Sequence, residues 1–290
     1  MNHRRAKIVC TIGPACAGPR VLERLIEAGM NVARLNFSHG THPEHARVIR
    51  TLRAVAARRR TPLAILGDLQ GPKIRTGLLE GGREVVLKAG HALTFSPGLG
   101  KGTAERIGIS DRHFARKLHR GDRILLSDGL IELRVDRVGE REVRCVVVNG
   151  GALGEHKGVN LPGIRWKRPA LTPKDREDLE FAIRHHLSYV ALSFVQSAAD
   201  VLSVKAVARR AGVPLPIVAK IEKPEAVADL ENILEAADGV MIARGDLGVE
   251  LGPERVPVLQ KRIIARGHAH HRPVITATQM LESMTVNPRP

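Results

Sequence analysis

Short apolar runs alternate with helical stretches over the first 69 residues. Ala6–Ile12 (AKIVCTI), Asn31–Phe37 (NVARLNF) and Leu63–Leu69 (LAILGDL) have the apolar, β-branched character of buried strands. Between them, helical spacing holds over Pro19–Ala28, which stops at Gly29, and over His42–Arg58. The order β-α-β-α-β predicts a parallel sheet. From residue 76 to about 162 glycines become frequent and short alternating runs follow one another: Glu84–Lys88, Asp122–Ser127, Ile131–Val138 and Glu142–Val148. Turn signals separate them, which predicts a small antiparallel β-barrel inserted into the first domain.

At Leu171–Asp175 (LTPKD) a helix start reappears and β/α alternation resumes. Tyr189–Val195, Pro216–Glu222, Gly239–Arg244 and Pro273–Gln279 read as strands; helices are expected near Pro173–His186, Ala198–Ala211, Pro224–Ala236 and Pro253–His271. Three strands before the insertion and four after it suggest an α/β fold, a β/α (TIM-type) barrel incomplete at strand eight. The expected domains are 1–75 (barrel, first part), 76–162 (inserted β domain) and 163–290 (barrel, second part). The ending Asn287-Pro288-Arg289-Pro290 reads as a cut.

Composition sharpens this picture in three ways. Hydrophobic residues make up 43% of the 290 and aromatic residues only 2%, so the core must be Val, Ile, Leu and Ala, as suits buried parallel strands. The net charge of +16 is concentrated at helix ends and faces (Arg58-Arg59-Arg60, Arg209-Arg210, Lys261-Arg262), where basic residues complement the helix dipole. With one Trp and one Tyr, stacking platforms are scarce and no nucleic-acid partner is expected. No apolar run approaches the ~20 residues of a membrane span, and the basic start Met1–Lys7 leads into a strand rather than a signal peptide, so a cytoplasmic location is expected. Cys10, Cys16 and Cys145 read as free thiols.

The candidate chemistry lies at strand ends, where β/α barrels carry their active sites. Strand two ends in Arg34, Asn36 and Ser38, strand three in Asp68, and strand four carries Ser193; strand five ends in Lys220 and Glu222, strand six in Arg244 and Asp246, strand seven in Thr276 and Thr278. Residues two apart on a strand face one side, so Lys220 pairs with Glu222 and Arg34 with Asn36. Two carboxylates, Glu222 and Asp246, suit a hard divalent cation completed by substrate oxygens. Lys220 can neutralise a migrating phosphoryl group, and Arg34 offers a fork for a phosphate. Gly245-Asp246-Leu247-Gly248 leads into a short helical turn whose free N–H groups suit an anion. The plainer reading is that these charges only pair with one another; seven converging strand ends weigh against it. Two decoys are set aside. Gly98–Thr103 (GLGKGT) lacks the spacing of a phosphate loop, with Phe95 and Gly102 at required positions, and His268, His270 and His271 read as a solvated basic helix end.

CTIGPA (Cys10–Ala15), NVARLNFSHGTH (Asn31–His42), GPKIRTG (Gly71–Gly77), KGVNLPG (Lys157–Gly163), LSFV (Leu192–Val195), AKIEKPEAV (Ala219–Val227), ARGDLGVE (Ala243–Glu250) and ATQMLESM (Ala277–Met284) resemble the pyruvate kinase family, in its order. The resemblance covers nearly the whole chain and implies a barrel domain, a β insertion acting as a water-excluding lid, and a C-terminal domain missing from this sequence. It implies transfer of a phosphoryl group from phosphoenolpyruvate to ADP, giving pyruvate and ATP. Arg34 would hold the substrate phosphate, Lys220 would stabilise the transfer, and Glu222 with Asp246 would bind Mg²⁺ or Mn²⁺. Gly245, Asp246 and Thr278 would bind the substrate carboxylate, with Thr278 near the carbon that gains a proton. Asn36, His39, Arg75 and Lys157 would line the nucleotide side. A homotetramer is common in the family.

Many members hold K⁺ with groups corresponding to Asn36, Ser38, Asp68 and the backbone of Leu69. Those members carry Glu within GP-x-IRT and Thr-Lys after the Asp, whereas this chain has Lys73, Leu69 and Gln70. The resemblance then implies that K⁺ is not required, with the Lys73 charge in its place. Two rivals stay open: a metal-dependent lyase or aldolase acting on pyruvate-like acids, and an inactive truncated fragment.

Overall fold

The computed structural model describes residues 5–164, 169–280 and 282–289. The first four residues of the basic start, Leu281 of the last motif and the final Pro290 lie outside them. By their internal contacts the residues form two units. One comprises Met1–Pro72, Pro169–Ile242 and Lys261–Ala277, and the other Lys73–Arg168, Ala243–Gln260 and Thr278–Pro290.

The first unit holds a seven-stranded sheet: β1 (Ile8–Thr11), β2 (Met30–Asn36), β3 (Ala64–Asp68), β4 (Tyr189–Leu192), β5 (Ile217–Ile221), β6 (Gly239–Ala243) and β7 (Val274–Ala277), lying side by side in that order. The ladders from β1 to β6 are parallel. In register, Asp68 stands opposite Asn36 on one side and Ala191 on the other. Between the strands run α1 (Pro19–Glu27), α2 (His42–Arg58), α3 (Pro173–Arg184), α4 (Ala198–Arg210), α5 (Pro224–Ala228) and α6 (Leu230–Ala236). Strands buried on both faces explain the near-continuous apolar runs. Leu66, Ala191, Val218 and Met241 from β3 to β6 pack into one cluster.

Helix α3 starts where LTPKD placed it. The Asp175 N–H donates to Thr172 Oγ1 at 3.1 Å, and the Thr172 N–H donates back to Asp175 Oδ2 at 2.9 Å. The other oxygen of the fully buried Asp175 accepts the Gly71 N–H at 3.0 Å, so the same residue that caps α3 also fixes the loop after β3. The single helix expected over Pro224–Ala236 is divided at Asp229. The carboxylate of Asp229 accepts the Ala198 N–H at 2.9 Å and an Asn232 amide hydrogen. An aspartate bound to such local donors offers the backbone an alternative to the helix ladder.

In the second unit, seven strands lie in the order Ile74–Arg75, Gly158–Asn160, Arg123–Leu126, Ile131–Val138, Val143–Asn149, Ala92–Pro97 and Arg106–Ile109. The Thr76–Ile109 bridge, with Ser110 N–H to Arg75 O at 2.9 Å and Gly77 N–H to Gly108 O at 2.8 Å, joins the first strand to the last. Alternation sets the interior: Ile131, Leu133 and Val135 are buried while Arg134 is exposed. One expectation is corrected. The sheet is not wholly antiparallel, because Ala92–Pro97 and Arg106–Ile109 run parallel. The GLGKGT segment belongs to the loop that connects them, bonded through its backbone to Leu78 and Glu80. This unit also contains α7 (Arg244–Leu251) and the start of α8 (Val256–Ala269). All three cysteines are free, and burial pushes the Cys145 thiol up to about 12. Among the described residues no helix is long and apolar enough to cross a membrane.

Candidate active site

In the first unit the ends of β2, β3, β4 and β5 bring five predicted residues into one cluster. Lys220 places its ammonium 2.8 Å from Ser193 Oγ, 2.9 Å from Glu222 Oε1 and 3.3 Å from Asp68 Oδ1. Arg34 binds Asp68 Oδ2 through Nε and Nη2, both at 2.7 Å, and sends Nη1 to Thr11 Oγ1 at 2.8 Å. Asp68 and Glu222 are each 1% exposed. Buried carboxylates persist as ions only when paired and hydrogen-bonded. Here each carboxylate meets at least one cation, and the ammonium is held from three sides.

Glu222 is also oriented by backbone. Its Oε2 accepts the Phe194 N–H at 2.7 Å, and Phe194 adopts φ of 57°, a left-handed conformation costly for an aromatic residue. Asn36 shapes the turn after β2: its side-chain oxygen accepts the Ser38 N–H at 3.1 Å and its carbonyl the His39 N–H at 3.2 Å. His39 is exposed, and its carbonyl lies 2.9 Å from His45 Nε2. Burial pushes the His45 imidazole below its ordinary range, so it donates to that carbonyl as the neutral ring.

In the second unit, Gly158 pairs with Arg75 across two strands, and the Thr76 N–H donates to Lys157 O at 2.9 Å, which sets Lys157 opposite Thr76 and one residue along from the partner of Arg75. Arg75 Nη1 donates to His156 O at 3.0 Å, while Lys157 is exposed. Lys73 sets its ammonium 3.2 Å from Asp246 Oδ1 and 3.5 Å from Asp128 Oδ1. Asp246 and Gly245 lie in the first turn of α7, a full helix where a short turn was expected. A β-carbon on Gly245 would stand 3.7 Å from Thr278 Oγ1, so the bare backbone faces that hydroxyl. Thr278 and Gln279 have φ of 56° and 50°, and Arg244 donates to both of their carbonyls. Strain at two consecutive residues, held by an arginine, is the kind found where a side chain must be aimed.

Of the three histidines set aside as a basic helix end, His268 and His271 are exposed and His270 meets an acidic partner. His270 lies 2.8 Å from Glu231, and Arg266, then His270, hold that carboxyl down to about 2. Among the described residues no group of three or more His, Cys, Asp or Glu side chains is placed to hold a metal ion. Thr11, Phe194, Asp128 and Asp175 were not singled out beforehand. Thr11 ends β1 within CTIGPA and was open to the strand-end rule; the roles of the others depend on backbone N–H groups or distant partners.

The family model for the pyruvate kinase barrel domain matches residues 3–290. Pyruvate kinase of Thermococcus litoralis is 47% identical over 285 residues, which cover 98% of this chain and 60% of the relative. Pyruvate kinase of Geobacillus stearothermophilus is 48% identical over 290 residues, covering 99% and 49%. That of Staphylococcus aureus strain MRSA252 is 45% identical over 288 residues, covering 99% and 49%. The chain thus spans between about half and three fifths of the length of these relatives.

Proposed function

The chain belongs to the pyruvate kinase family, and from that membership we propose that the complete protein transfers the phosphoryl group of phosphoenolpyruvate to ADP, giving pyruvate and ATP. The observation that carries the reading is the Arg34–Asp68–Lys220–Glu222 cluster. Its carboxylates are buried and each meets a cation at the strand ends, with an ammonium fixed by a hydroxyl and two carboxylates.

In the transfer, the bond from phosphorus to the enol oxygen breaks, and an oxygen of the ADP β-phosphate takes the phosphorus. The enolate left behind then gains a proton on carbon. Lys220 supplies positive charge to the moving phosphoryl group and to the enolate; because Ser193, Asp68 and Glu222 already hold it, little reorganisation is needed at the moment of reaction. Arg34 holds the substrate phosphate. The backbone of Gly245 and Asp246, with the Thr278 hydroxyl, holds the carboxylate, and Thr278 stands near the carbon that is protonated. Asn36, His39, Arg75 and Lys157 line the nucleotide side.

Glu222 and Asp246 fit a hard divalent cation by donor type; in this structure Glu222 is held by the Phe194 N–H and Lys220. Mg²⁺ or Mn²⁺ held there would offset phosphate charge. K⁺ is not required: Lys73, Leu69 and Gln70 stand where the K⁺-holding members carry Glu and Thr-Lys, and the permanent charge of Lys73 takes the place of the ion. The reading extends to a closed eight-stranded β/α barrel, a homotetramer and a cytoplasmic location.

A lyase has no use for Arg75 and Lys157 on an inserted β domain, which favours the kinase. Pyruvate release from phosphoenolpyruvate by the complete protein, followed with and without ADP, separates the two. Release is expected only with ADP; equal release without it would overturn the assignment.

A further inference from the structure

Lys73 reaches its partner along a defined path. Its stem lies over Gly158 on the adjoining strand, where a β-carbon would stand 2.5 Å from Lys73 Cε and 3.2 Å from Nζ. Gly158 is not among the positive-φ glycines, so its bare backbone serves to leave room for the stem. The ammonium at the end of that stem has two acidic neighbours. Asp128, at 3.5 Å, has a side chain 76% exposed and is screened by water. Asp246, at 3.2 Å, has a side chain 28% exposed and faces a lysine only 17% exposed. Asp246 is therefore the partner that counts electrostatically.

We infer that Lys73 is a resident counter-ion for Asp246, a positioning residue that a divalent cation must displace before it can use that carboxylate. The inference rests on the proposed metal role of Asp246. Two effects act in the same direction. A carboxylate oxygen engaged by an ammonium is a poor ligand until the contact breaks. Once displaced, the ammonium stays tethered nearby and repels a doubly charged ion. Anionic substrates relieve both effects by offering the lysine another negative partner. Lys73 thus keeps the substrate-free protein weakly loaded and ties tight metal binding to substrate arrival.

The test uses Mn²⁺ as the probe, with free ion counted by electron paramagnetic resonance during titration of the complete protein without substrates. Lys73→Met and Lys73→Gln are each expected to bind Mn²⁺ at least about tenfold more tightly than the parent, and Asp128→Asn to stay within about twofold. Asp246→Asn should lose most of the binding. Adding phosphoenolpyruvate should tighten Mn²⁺ binding more in the parent than in Lys73→Met. A purely structural lysine would give the opposite sign, since its loss would loosen the site. Unchanged or weaker binding in both lysine variants, with Asp246→Asn still defective, overturns the role of Lys73 alone. Binding indifferent to Asp246→Asn overturns the metal reading and this inference with it.

Discussion

Lys220 stands between two carboxylates that are each 1% exposed, so removing its charge has two separable effects. One is chemical: Lys220→Met is expected to lower turnover by about three orders of magnitude, the scale of losing one fixed electrostatic contact to the transition state. The other is structural: an uncompensated buried carboxylate costs about 3–5 kcal/mol. The double variant Lys220→Met/Glu222→Gln neutralises Glu222 and should regain much of the stability without regaining turnover. Urea unfolding and steady-state rates on both variants measure the two effects. Near-normal turnover in Lys220→Met would remove Lys220 from the chemistry. At this scale the sequence was informative wherever chemistry resides in side chains at strand ends: Lys220 with Glu222, Arg34 and Asp68 were all legible. It was silent on the Phe194 N–H, because a left-handed φ at a phenylalanine follows from its surroundings and leaves no mark in residue type. The Asp246 partner of Lys73 was equally hidden, since 173 residues separate the two in sequence.

Strand β3 shows how an element holds a site residue in place. A β-carbon on Gly67 would stand 2.7 Å from the Phe37 ring and 2.9 Å from Leu187 Cδ1. Both neighbours are buried and cannot withdraw. Gly67→Ala is therefore expected to destabilise the protein by about 1–3 kcal/mol and, by moving Asp68, to loosen Lys220 and lower turnover as well. Unfolding midpoints and rates check both; a variant as stable and active as the parent would show that β3 has slack there. The apolar runs of the parallel strands were readable because burial on both faces leaves little but Val, Ile, Leu and Ala. The break at Asp229 was not, since it depends on the amide of Ala198 across the fold. Nor was the parallel pairing of Ala92–Pro97 with Arg106–Ile109, because local alternation is the same in either direction.

For the whole molecule, the proposed independence of K⁺ follows from Lys73, Leu69 and Gln70. In a buffer of large organic cations, adding KCl at matched ionic strength should change the turnover of the complete enzyme less than about twofold, because Lys73 permanently supplies the positive charge that a monovalent ion would bring. A hundredfold activation would contradict this. The proposed phosphoryl transfer is open to direct observation by phosphorus-31 NMR. The complete protein is mixed with phosphoenolpyruvate, ADP and Mg²⁺, and the phosphoenolpyruvate resonance is followed over time. Its loss should be matched, phosphorus for phosphorus, by growth of the ATP γ-phosphate resonance, and both changes should cease in Lys220→Met. Conversion of phosphoenolpyruvate to inorganic phosphate with ADP untouched, or no change in either substrate, would contradict the assignment.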